Sequence, residues 1–310
     1  MRNPSSFMQS KRDLSLRSKR RIIVERKQVD VQGGNAGAPA RVFCGGSASN
    51  ERRDGVMATD KYLDAKIVDR KEVAPDLFLL HVEAAQQLPY LAGQYATLGV
   101  EVEGKQIERP YSICSSPYES KLEFFVERVP HGELTPLLYA MDQGAPLLLR
   151  RFAKGRFTLD LRSGRKNHLL LATVTGIAPY VSYVRTIYED WKKGGRFMPG
   201  EHRLFCIQGA SRRGEFGYRD ELEHVASEVP WLKYVPTVSR AWEDKSWNGE
   251  KGRVDDVIRK YADVWNLKPE ETTAYLCGHP NMVENGRELL LRAGWKKDAL
   301  QDEVYFPLRG

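Results

Sequence analysis

The hydrophobic pattern of this chain changes near residue 160, and the change predicts two kinds of sheet. Before that point, short runs of Val, Leu, Ile and aromatic residues are separated by Gly and Pro, which is typical of an antiparallel barrel or sandwich. We therefore expect an antiparallel β-barrel over residues 57–160. The strand-like runs cover residues 66–68, 77–82, 95–100 and 122–129, followed by a short predicted helix over 134–141.

The second half of the chain alternates strand-like and helical segments. Repeated βα units place parallel strands side by side, with helices on both faces of the sheet. We therefore expect an α/β domain with a doubly wound parallel sheet over residues 161–310. Its predicted strands cover residues 168–173, 204–209, 232–238 and 273–277, and its predicted helices cover 178–191, 219–227, 253–262 and 281–293.

The excess positive charge of the chain lies near its start. The net charge is +7, and residues 1–56 contain 12 Lys and Arg against 5 Asp and Glu, which leaves 36 of each sign in the rest. The folded body is therefore neutral, and the charge does not indicate a nucleic-acid-binding fold. We expect residues 1–56 to form a disordered basic extension. An organelle presequence or a basic arm for nucleic acid or an acidic partner are the alternatives, and Met57 is a candidate physiological start.

Hydropathy and cysteine spacing exclude several protein classes. The sequence has no run of about 18 or more apolar residues, which excludes a membrane-spanning helix, and it begins without the apolar core of a secretory signal. The four cysteines include no C-x-x-C pair, which excludes a disulfide scaffold, a zinc site of the usual spacing and a four-cysteine iron–sulfur cluster. We expect a cytoplasmic protein without a metal site.

The most specific motif is RPYSICSSP, over residues 109–117, which we expect to follow a barrel strand. Arg109 can clamp a pyrophosphate, Tyr111 supplies a planar face, and the Ser112 hydroxyl can reach a ring nitrogen. The motif, which includes Pro110, resembles the flavin signature R-x-Y-S of the ferredoxin–NADP reductase family, particularly the short bacterial flavodoxin/ferredoxin–NADP reductases. The alternative is a β-turn with a buried tyrosine.

A second motif, VPHGELTP over residues 129–136, is a glycine turn that leads into a helix. In the resembling family this segment binds the diphosphate of FAD. The resemblance therefore implies cofactor contacts for Glu133, Leu134 and Thr135, and for Phe125, Val126, Glu127 and Arg128 on the strand before them. The alternative is that Thr135 only caps the helix ahead of Pro136.

A third motif, LATVTGIAPY over residues 171–180, is a strand that opens into a helix. It resembles the family's strand–turn–helix that receives the NADP pyrophosphate, which assigns Thr175 and Gly176 to the coenzyme. The chain departs from the family at Val174, where a glycine is usual. A side chain at this position limits how closely the backbone approaches a phosphate.

Arginines near the ends of three segments match the family's positions for the 2′-phosphate that distinguishes NADP from NAD. Ser239 and Arg240 end a predicted strand, and Arg253 begins a predicted helix. Arg212 follows Ser211, at which family members often carry an arginine. Guanidinium groups suit a phosphate because they donate two hydrogen bonds at once. The alternative for each arginine is a solvated surface charge.

The last two motifs are CGHP, over residues 277–280, and EVYF, over residues 303–306. They resemble family motifs that place Cys277 beside the nicotinamide, Glu303 near the reactive edge of the flavin, Tyr305 on the flavin face and Phe306 near the FAD adenine. The alternatives are a buried structural thiol and an edge strand with a buried aromatic residue.

Together, the motifs follow the family's order over residues 62–306. The resemblance implies a two-domain flavoprotein oxidoreductase, with an FAD-binding barrel and an NADP-binding α/β domain, for electron transfer between NADPH and ferredoxin or flavodoxin. It implies catalytic roles for Ser112, Cys277, Glu303 and Tyr305. The carrier is expected to be acidic, with Arg150, Arg151 and Lys154 as candidate docking residues. The alternatives are an NAD(P)H-dependent flavin or oxygenase-component reductase and a non-catalytic flavin-binding regulator; a nucleic-acid or membrane partner is not expected.

Overall fold

A computed structural model of the chain describes residues 61–194 and 202–304. The predictions for residues 1–56 and Met57 fall outside the described residues, as do those for Tyr305 and Phe306. In the two described ranges, no helix combines the length and the apolar character that a membrane crossing requires.

The first sheet is a six-stranded antiparallel barrel. Its strand order is β4-β3-β6-β1-β2-β5, and a bridge between Ile113, just after β4, and Phe124, in β5, joins the two edges. A helix, α1, lies between β5 and β6. The elements are β1 (Tyr62–Ala74), β2 (Leu77–Ala84), β3 (Tyr95–Val102), β4 (Lys105–Ser112), β5 (Leu122–Glu127), α1 (Thr135–Ala140) and β6 (Pro146–Arg150).

Strand β2 shows why the barrel contains continuous apolar runs. Its side chains alternate between the two faces of the strand, as in any strand. Phe78 and Leu80 pack in the barrel core, whereas Leu77 and Leu79 pack in a second core shared with the α/β domain. Because both faces of β2 are buried, its sequence lacks the polar alternation of a strand with one solvated face.

The second sheet is parallel, with strand order β10-β9-β8-β7-β11-β12. Helices α2 and α3 contribute to the core on one face, and α4 and α5 contribute to the core on the other, so the sheet is doubly wound. The strands are β7 (Asn167–Thr173), β8 (Arg203–Ala210), β9 (Leu232–Val238), β10 (Glu250–Lys251), β11 (Thr272–Gly278) and β12 (Leu300–Val304), and the helices are α2 (Ala178–Lys192), α3 (Arg219–Glu228), α4 (Val254–Val264) and α5 (Pro280–Arg292).

The predicted fold class is confirmed in the described residues, and one local prediction is wrong. The motif over residues 109–117 does not follow a strand, because residues 109–112 are themselves the end of β4. The hydrophobic pattern also missed β4, β6, β10 and most of β12. The strand order reverses at β7, which has β8 on one side and β11 on the other. Ligands of open α/β sheets bind at the carboxyl end of such a switch point.

A buried ion network joins the barrel to the α/β domain. The Glu123 carboxylate, on β5, is hydrogen-bonded to His81 Nε2 at 2.9 Å and lies 3.3 Å from Arg185 Nη2, on α2. It also accepts a hydrogen bond from the Tyr218 hydroxyl, and Arg185 donates two bonds to Glu221 at 2.7 and 2.8 Å. Burial opposes ionisation of Glu123, but its bond to His81 and the charge of Arg185 lower its pKa to about 2.

The His81 side of this network predicts a pH-dependent loss of stability. The hydrogen bond to Glu123 raises the pKa of His81 above its usual 6.5. The stabilisation is therefore fully present below about pH 6.5 and is lost as the pH rises through the folded-state value. We expect His81→Gln to lower the free energy of unfolding by about 1 kcal/mol at pH 6 and by clearly less at pH 9.

Urea unfolding of the full chain at the two pH values measures this difference. His224→Gln is the control, because His224 is an exposed histidine on α3 that pairs with Glu228 at 3.4 Å. If His81→Gln lowers the free energy of unfolding equally at pH 6 and pH 9, the charge on His81 contributes nothing to stability.

Candidate functional site

A cavity of about 800 Å³ lies between the barrel and the carboxyl edge of the parallel sheet. Its size is that of a small-molecule or cofactor site. The barrel contributes residues 109–112, 125–130 and 132–135 to its lining. The α/β domain contributes residues 173–175, 178, 209–211, 239, 253–255, 278–280, 282, 285 and 304.

Two arginines lie on the barrel wall of the cavity. Arg109 Nη2 donates a hydrogen bond to Glu133 Oε2 at 2.6 Å, so the structure brings together two residues that the motifs singled out separately. Arg128 Nε donates to Asp76 at 2.7 Å, and its guanidinium lies 4.4 Å from the centre of the Tyr139 ring. Both guanidinium groups are therefore held in fixed orientations at the cavity lining.

The loop before α1 folds back on itself. The Thr135 hydroxyl accepts a hydrogen bond from the Val129 amide at 2.8 Å, which closes the loop over residues 129–135. The N-cap of α1 is Leu134, so the alternative interpretation of Thr135 as a plain N-cap is wrong. Gly132 fits tightly here, since an added Cβ would lie 3.1 Å from the Val129 carbonyl oxygen.

Three predicted catalytic residues converge near the end of β4. The Ser112 hydroxyl donates to Glu303 Oε1 at 3.3 Å, although 191 residues separate them in sequence. Glu303, on β12, stands beside Cys277, on β11, in the register of the parallel pair, and Cys277 is fully buried. Burial raises the pKa of Glu303. The fourth predicted residue, Tyr305, lies outside the described residues.

The turn between β7 and α2 is a 3₁₀ turn over Val174–Ile177. Val174 has φ +43°, a left-handed conformation that a β-branched residue rarely adopts. Thr175 lines the cavity, but Gly176 is buried below it. A Cβ on Gly176 would lie 2.3 Å from the Cys277 carbonyl oxygen, so this glycine allows the turn to pack against the end of β11.

The predicted phosphate-binding residues divide between the cavity and its rim. Ser239 and Arg253 line the cavity, whereas Arg212 and Arg240 lie one residue beyond the lining residues Ser211 and Ser239. The Arg240 amide donates to the Ser211 carbonyl at 3.1 Å, which holds the ends of β8 and β9 side by side. These ends therefore bring Arg212 and Arg240 to one corner of the site.

The motif analysis did not assign His279 to the site, although it lies within the CGHP motif. His279 lines the cavity and caps α5, because its Nδ1 accepts a hydrogen bond from the Asn281 amide at 3.2 Å. Its own amide donates to Thr173 Oγ1 at 2.8 Å, which ties the end of β11 to the end of β7. The sequence signal that could have identified His279 is its position directly before a proline that begins a helix.

Two family models match the chain in the same order as its two sheets. The oxidoreductase FAD-binding domain matches residues 64–158, and the oxidoreductase NAD-binding domain matches residues 170–288. Residues 170–288 contain most of the parallel sheet, and residues 64–158 contain most of the barrel.

The chain is similar to curated relatives and to solved structures over most of its length. The ferredoxin–NADP reductase of Azotobacter vinelandii is 30% identical over 236 residues, which cover 71% of this chain and 85% of the relative. The flavodoxin/ferredoxin–NADP reductase of Escherichia coli is 28% identical over 231 residues, which cover 72% of this chain and 88% of that protein. A crystal structure of a ferredoxin NADP⁺ reductase from Neisseria gonorrhoeae with bound FAD and NADP superimposes with a TM-score of 0.68 and 25% identity, over 79% of this chain and 99% of the other.

Proposed function

Because the chain belongs to the ferredoxin–NADP reductase family, we propose that it is an FAD-dependent oxidoreductase that transfers electrons between NADPH and a one-electron carrier protein. One observation carries this proposal. Ser112 of the barrel and Glu303 of the α/β domain meet at the junction of the two domains, beside a cavity that both domains line. A protein that only bound a flavin would not require this pair.

The barrel side of the cavity fits FAD by the chemistry of its donors. Two guanidinium groups, on Arg109 and Arg128, and the loop that ends in Glu133, Leu134 and Thr135 suit a diphosphate. Tyr111 and Ser112 would hold the flavin ring, with Pro110 and residues 125–127 beside them. When bound, FAD supplies the exchange of a hydride with nicotinamide and of single electrons with a carrier.

The residues at the domain junction are suited to handling a proton and excluding water. Glu303 can retain a proton to higher pH than an exposed glutamate, because burial raises its pKa. The hydrogen bond that Ser112 donates to it lowers this pKa and offsets part of the effect of burial, and the balance between the two makes Glu303 a candidate proton-holding group. Ser112 is 4% exposed and Cys277 is 0% exposed, which keeps this part of the site dry.

The α/β side of the cavity is proposed to bind NADPH. Thr175, in the turn before α2, would receive the pyrophosphate, and Gly176 would support that turn from below. Ser239, Arg240 and Arg253, with Arg212, would bind the 2′-phosphate. Three guanidinium groups near the ends of parallel strands support this assignment.

Removing two of these arginines is expected to weaken the binding of NADPH much more than that of NADH. We expect the double variant Arg240→Ala, Arg253→Ala to raise the KM for NADPH about a hundredfold, since each lost guanidinium contact costs about 1.4 kcal/mol, or tenfold. The KM for NADH should change less than about twofold, because NADH has no 2′-phosphate.

Steady-state kinetics with both coenzymes measure these constants. The matched control is Arg259→Ala, Arg292→Ala, which removes two arginines of α4 and α5 that do not line the cavity. Equal increases in KM for NADPH and NADH would remove the 2′-phosphate assignment.

We propose an acidic ferredoxin or flavodoxin as the carrier. Arg150 is unsuited to a docking role, because its charge is neutralised by the Glu108 carboxylate, which accepts two hydrogen bonds from it at 2.8 and 2.6 Å. Arg151 and Lys154 stay as candidates, and Phe152 between them is 67% exposed. NADPH-dependent reduction of purified ferredoxin and flavodoxin by the full chain, at low and high salt, tests this proposal. Reduction of free flavin but of neither carrier would favour a flavin reductase.

The domain limits and the location of the protein are also proposals. Barrel limits of 57–160 and α/β limits of 161–310 are supported by the matched ranges 64–158 and 170–288. A cytoplasmic location is supported by the buried thiols of Cys114 and Cys206, which suit a reducing compartment.

A further inference from the structure

We propose that Glu243 is a specificity-determining residue, whose carboxylate competes with the 2′-phosphate of NADPH for Arg212 and Arg240. This inference rests on the proposed function, because it concerns the coenzyme that the α/β domain takes. It goes beyond that function because it states that one carboxylate weakens the preference of the protein for NADPH over NADH.

Glu243 bridges the two rim arginines. Arg212 Nε donates a hydrogen bond to Glu243 Oε2 at 2.7 Å, and Arg240 Nη1 lies 3.6 Å from Glu243 Oε1. The two oxygens of one carboxylate therefore face the two guanidinium groups. A phosphate that binds both arginines comes close to this carboxylate, so it either displaces the carboxylate from the guanidinium groups or is repelled by its charge.

A second carboxylate, that of Glu215, lies in the same corner but has a structural role. Its Oε2 accepts hydrogen bonds from the Ser211 amide at 2.9 Å and the Arg212 amide at 3.2 Å. Its Oε1 lies 3.6 Å from Arg212 Nη1. Glu215 therefore fixes the loop after β8 and cannot leave without freeing two backbone donors.

Glu243 is the carboxylate that can move. It lies in a short 3₁₀ turn (Ala241–Glu243), and its side chain is 37% exposed, against 18% for Glu215. Its only hydrogen bond through the side chain, among those of the described residues, is the one from Arg212. An exposed carboxylate of this kind can rotate into water when another anion binds. The rotation costs free energy, which lowers the affinity for NADPH but not for NADH, because NADH has no 2′-phosphate.

The charges of this corner also predict that Glu243 weakens the binding of a phosphate. Arg212 and Arg240 contribute two positive charges to this cluster, and Glu215 and Glu243 contribute two negative charges, so the charges of these four side chains cancel. Replacing Glu243 by Gln keeps the size of the side chain and one acceptor oxygen, but makes the net charge of the corner more positive by one unit. The variant should therefore attract a phosphate dianion more strongly.

The test measures binding of 2′-phospho-AMP and of AMP to the full-length, FAD-loaded protein by calorimetry. We expect Glu243→Gln to bind 2′-phospho-AMP about fivefold more tightly than the wild type at low salt, and the gain should shrink at high salt because the pair is exposed. Affinity for AMP should stay within about twofold. Glu288→Gln is the matched control, since Glu288 is an exposed, ion-paired glutamate on α5 whose partner is Arg292.

Each outcome decides between supporting and rejecting the role of Glu243. Weaker binding of 2′-phospho-AMP by Glu243→Gln would mean that Glu243 positions the arginines for the phosphate, and this overturns the inference. Unchanged binding, or an equal gain for AMP, also overturns it. The wild type tests the proposed function separately: if it binds 2′-phospho-AMP no better than AMP, the phosphate assignment itself fails, and the inference fails with it.

Discussion

Gly176→Ala is expected to lower the free energy of unfolding by about 3 kcal/mol, which is the upper end of the usual cost of overpacking a core position. The new Cβ would lie 2.3 Å from the Cys277 carbonyl oxygen, 2.6 Å from its carbonyl carbon and 2.8 Å from the Gly278 Cα. All three contacts are with backbone atoms, which cannot rotate away as a side chain would. The 3₁₀ turn must therefore separate from the end of β11.

The same displacement should weaken coenzyme binding. Thr175 lies next to Gly176 in the turn and lines the cavity, and Cys277 stands beside Glu303 in the sheet. A shift between the turn and β11 moves these groups relative to one another. We therefore expect Gly176→Ala to raise the KM for NADPH as well as to lower stability.

Urea unfolding of the FAD-loaded full chain measures the stability change. The control is Gly214→Ala, because Gly214 is exposed and an added Cβ there meets nothing within 4 Å. The control should differ from the wild type by less than about 0.5 kcal/mol. If Gly176→Ala is as stable as the control, the turn does not pack against β11 as described.

Ser112→Ala is the substitution with the largest expected effect on the reaction. The variant loses the hydroxyl that donates to Glu303 at 3.3 Å, and with it a positioned donor at the domain junction. We expect the rate at which NADPH reduces the bound flavin to fall about a hundredfold, the usual cost of one such group. FAD should stay bound, because Arg109 and Arg128 are unchanged.

A single-turnover experiment with the FAD-loaded variant measures this rate directly. Ser120→Ala is the control, since Ser120 is an exposed serine of the barrel outside the cavity lining. An unchanged rate in Ser112→Ala would remove its catalytic role. Loss of FAD from a folded variant would instead show that Ser112 contributes mainly to holding the cofactor.

The α/β domain could be predicted well because its central strands β7, β8 and β11 are almost fully buried. Strand β9 has the predicted bounds 232–238, and β7, β8 and β11 differ from prediction by one or two residues at their ends. Such strands carry continuous apolar runs that stand out from the helices around them. Buried parallel strands are therefore visible in a single sequence.

Two of the missed strands, β4 and β10, lack that signal. Strand β4 has the sequence KQIERPYS, and only Ser112 in it is buried, so no apolar run marks it. It forms by pairing with β3, from Tyr95 opposite Ser112 to Val102 opposite Lys105. Strand β10 has two residues, Glu250 and Lys251, which is too short for any periodicity.

Contacts between distant residues were the least predictable part of the site. The resemblance to the family named Ser112 and Glu303 separately, but no spacing in the sequence indicates that they touch. The ion network of Glu123, Arg185 and His81 had no sequence signal, because its members come from three different elements. The resemblance also identified Arg212 without showing that Glu243 neutralises it.

The sequence interpretation of Gly176 shows a different limit. The resemblance assigned this glycine to the coenzyme, and the structure adds a second requirement, which is its packing against the Cys277 carbonyl group. Both requirements select a residue without a side chain. Only coordinates distinguish them, because the atom that a Cβ would meet comes from a strand about a hundred residues later.

Anaerobic stopped-flow mixing of the full-length, FAD-loaded protein with NADPH and, separately, with NADH tests the proposed function most directly. The visible absorbance of the bound flavin reports its reduction. The account predicts that NADPH bleaches the flavin, and does so faster than NADH at equal concentration. A bound flavin that neither coenzyme reduces would contradict the reductase function and leave a flavin-binding protein without this activity.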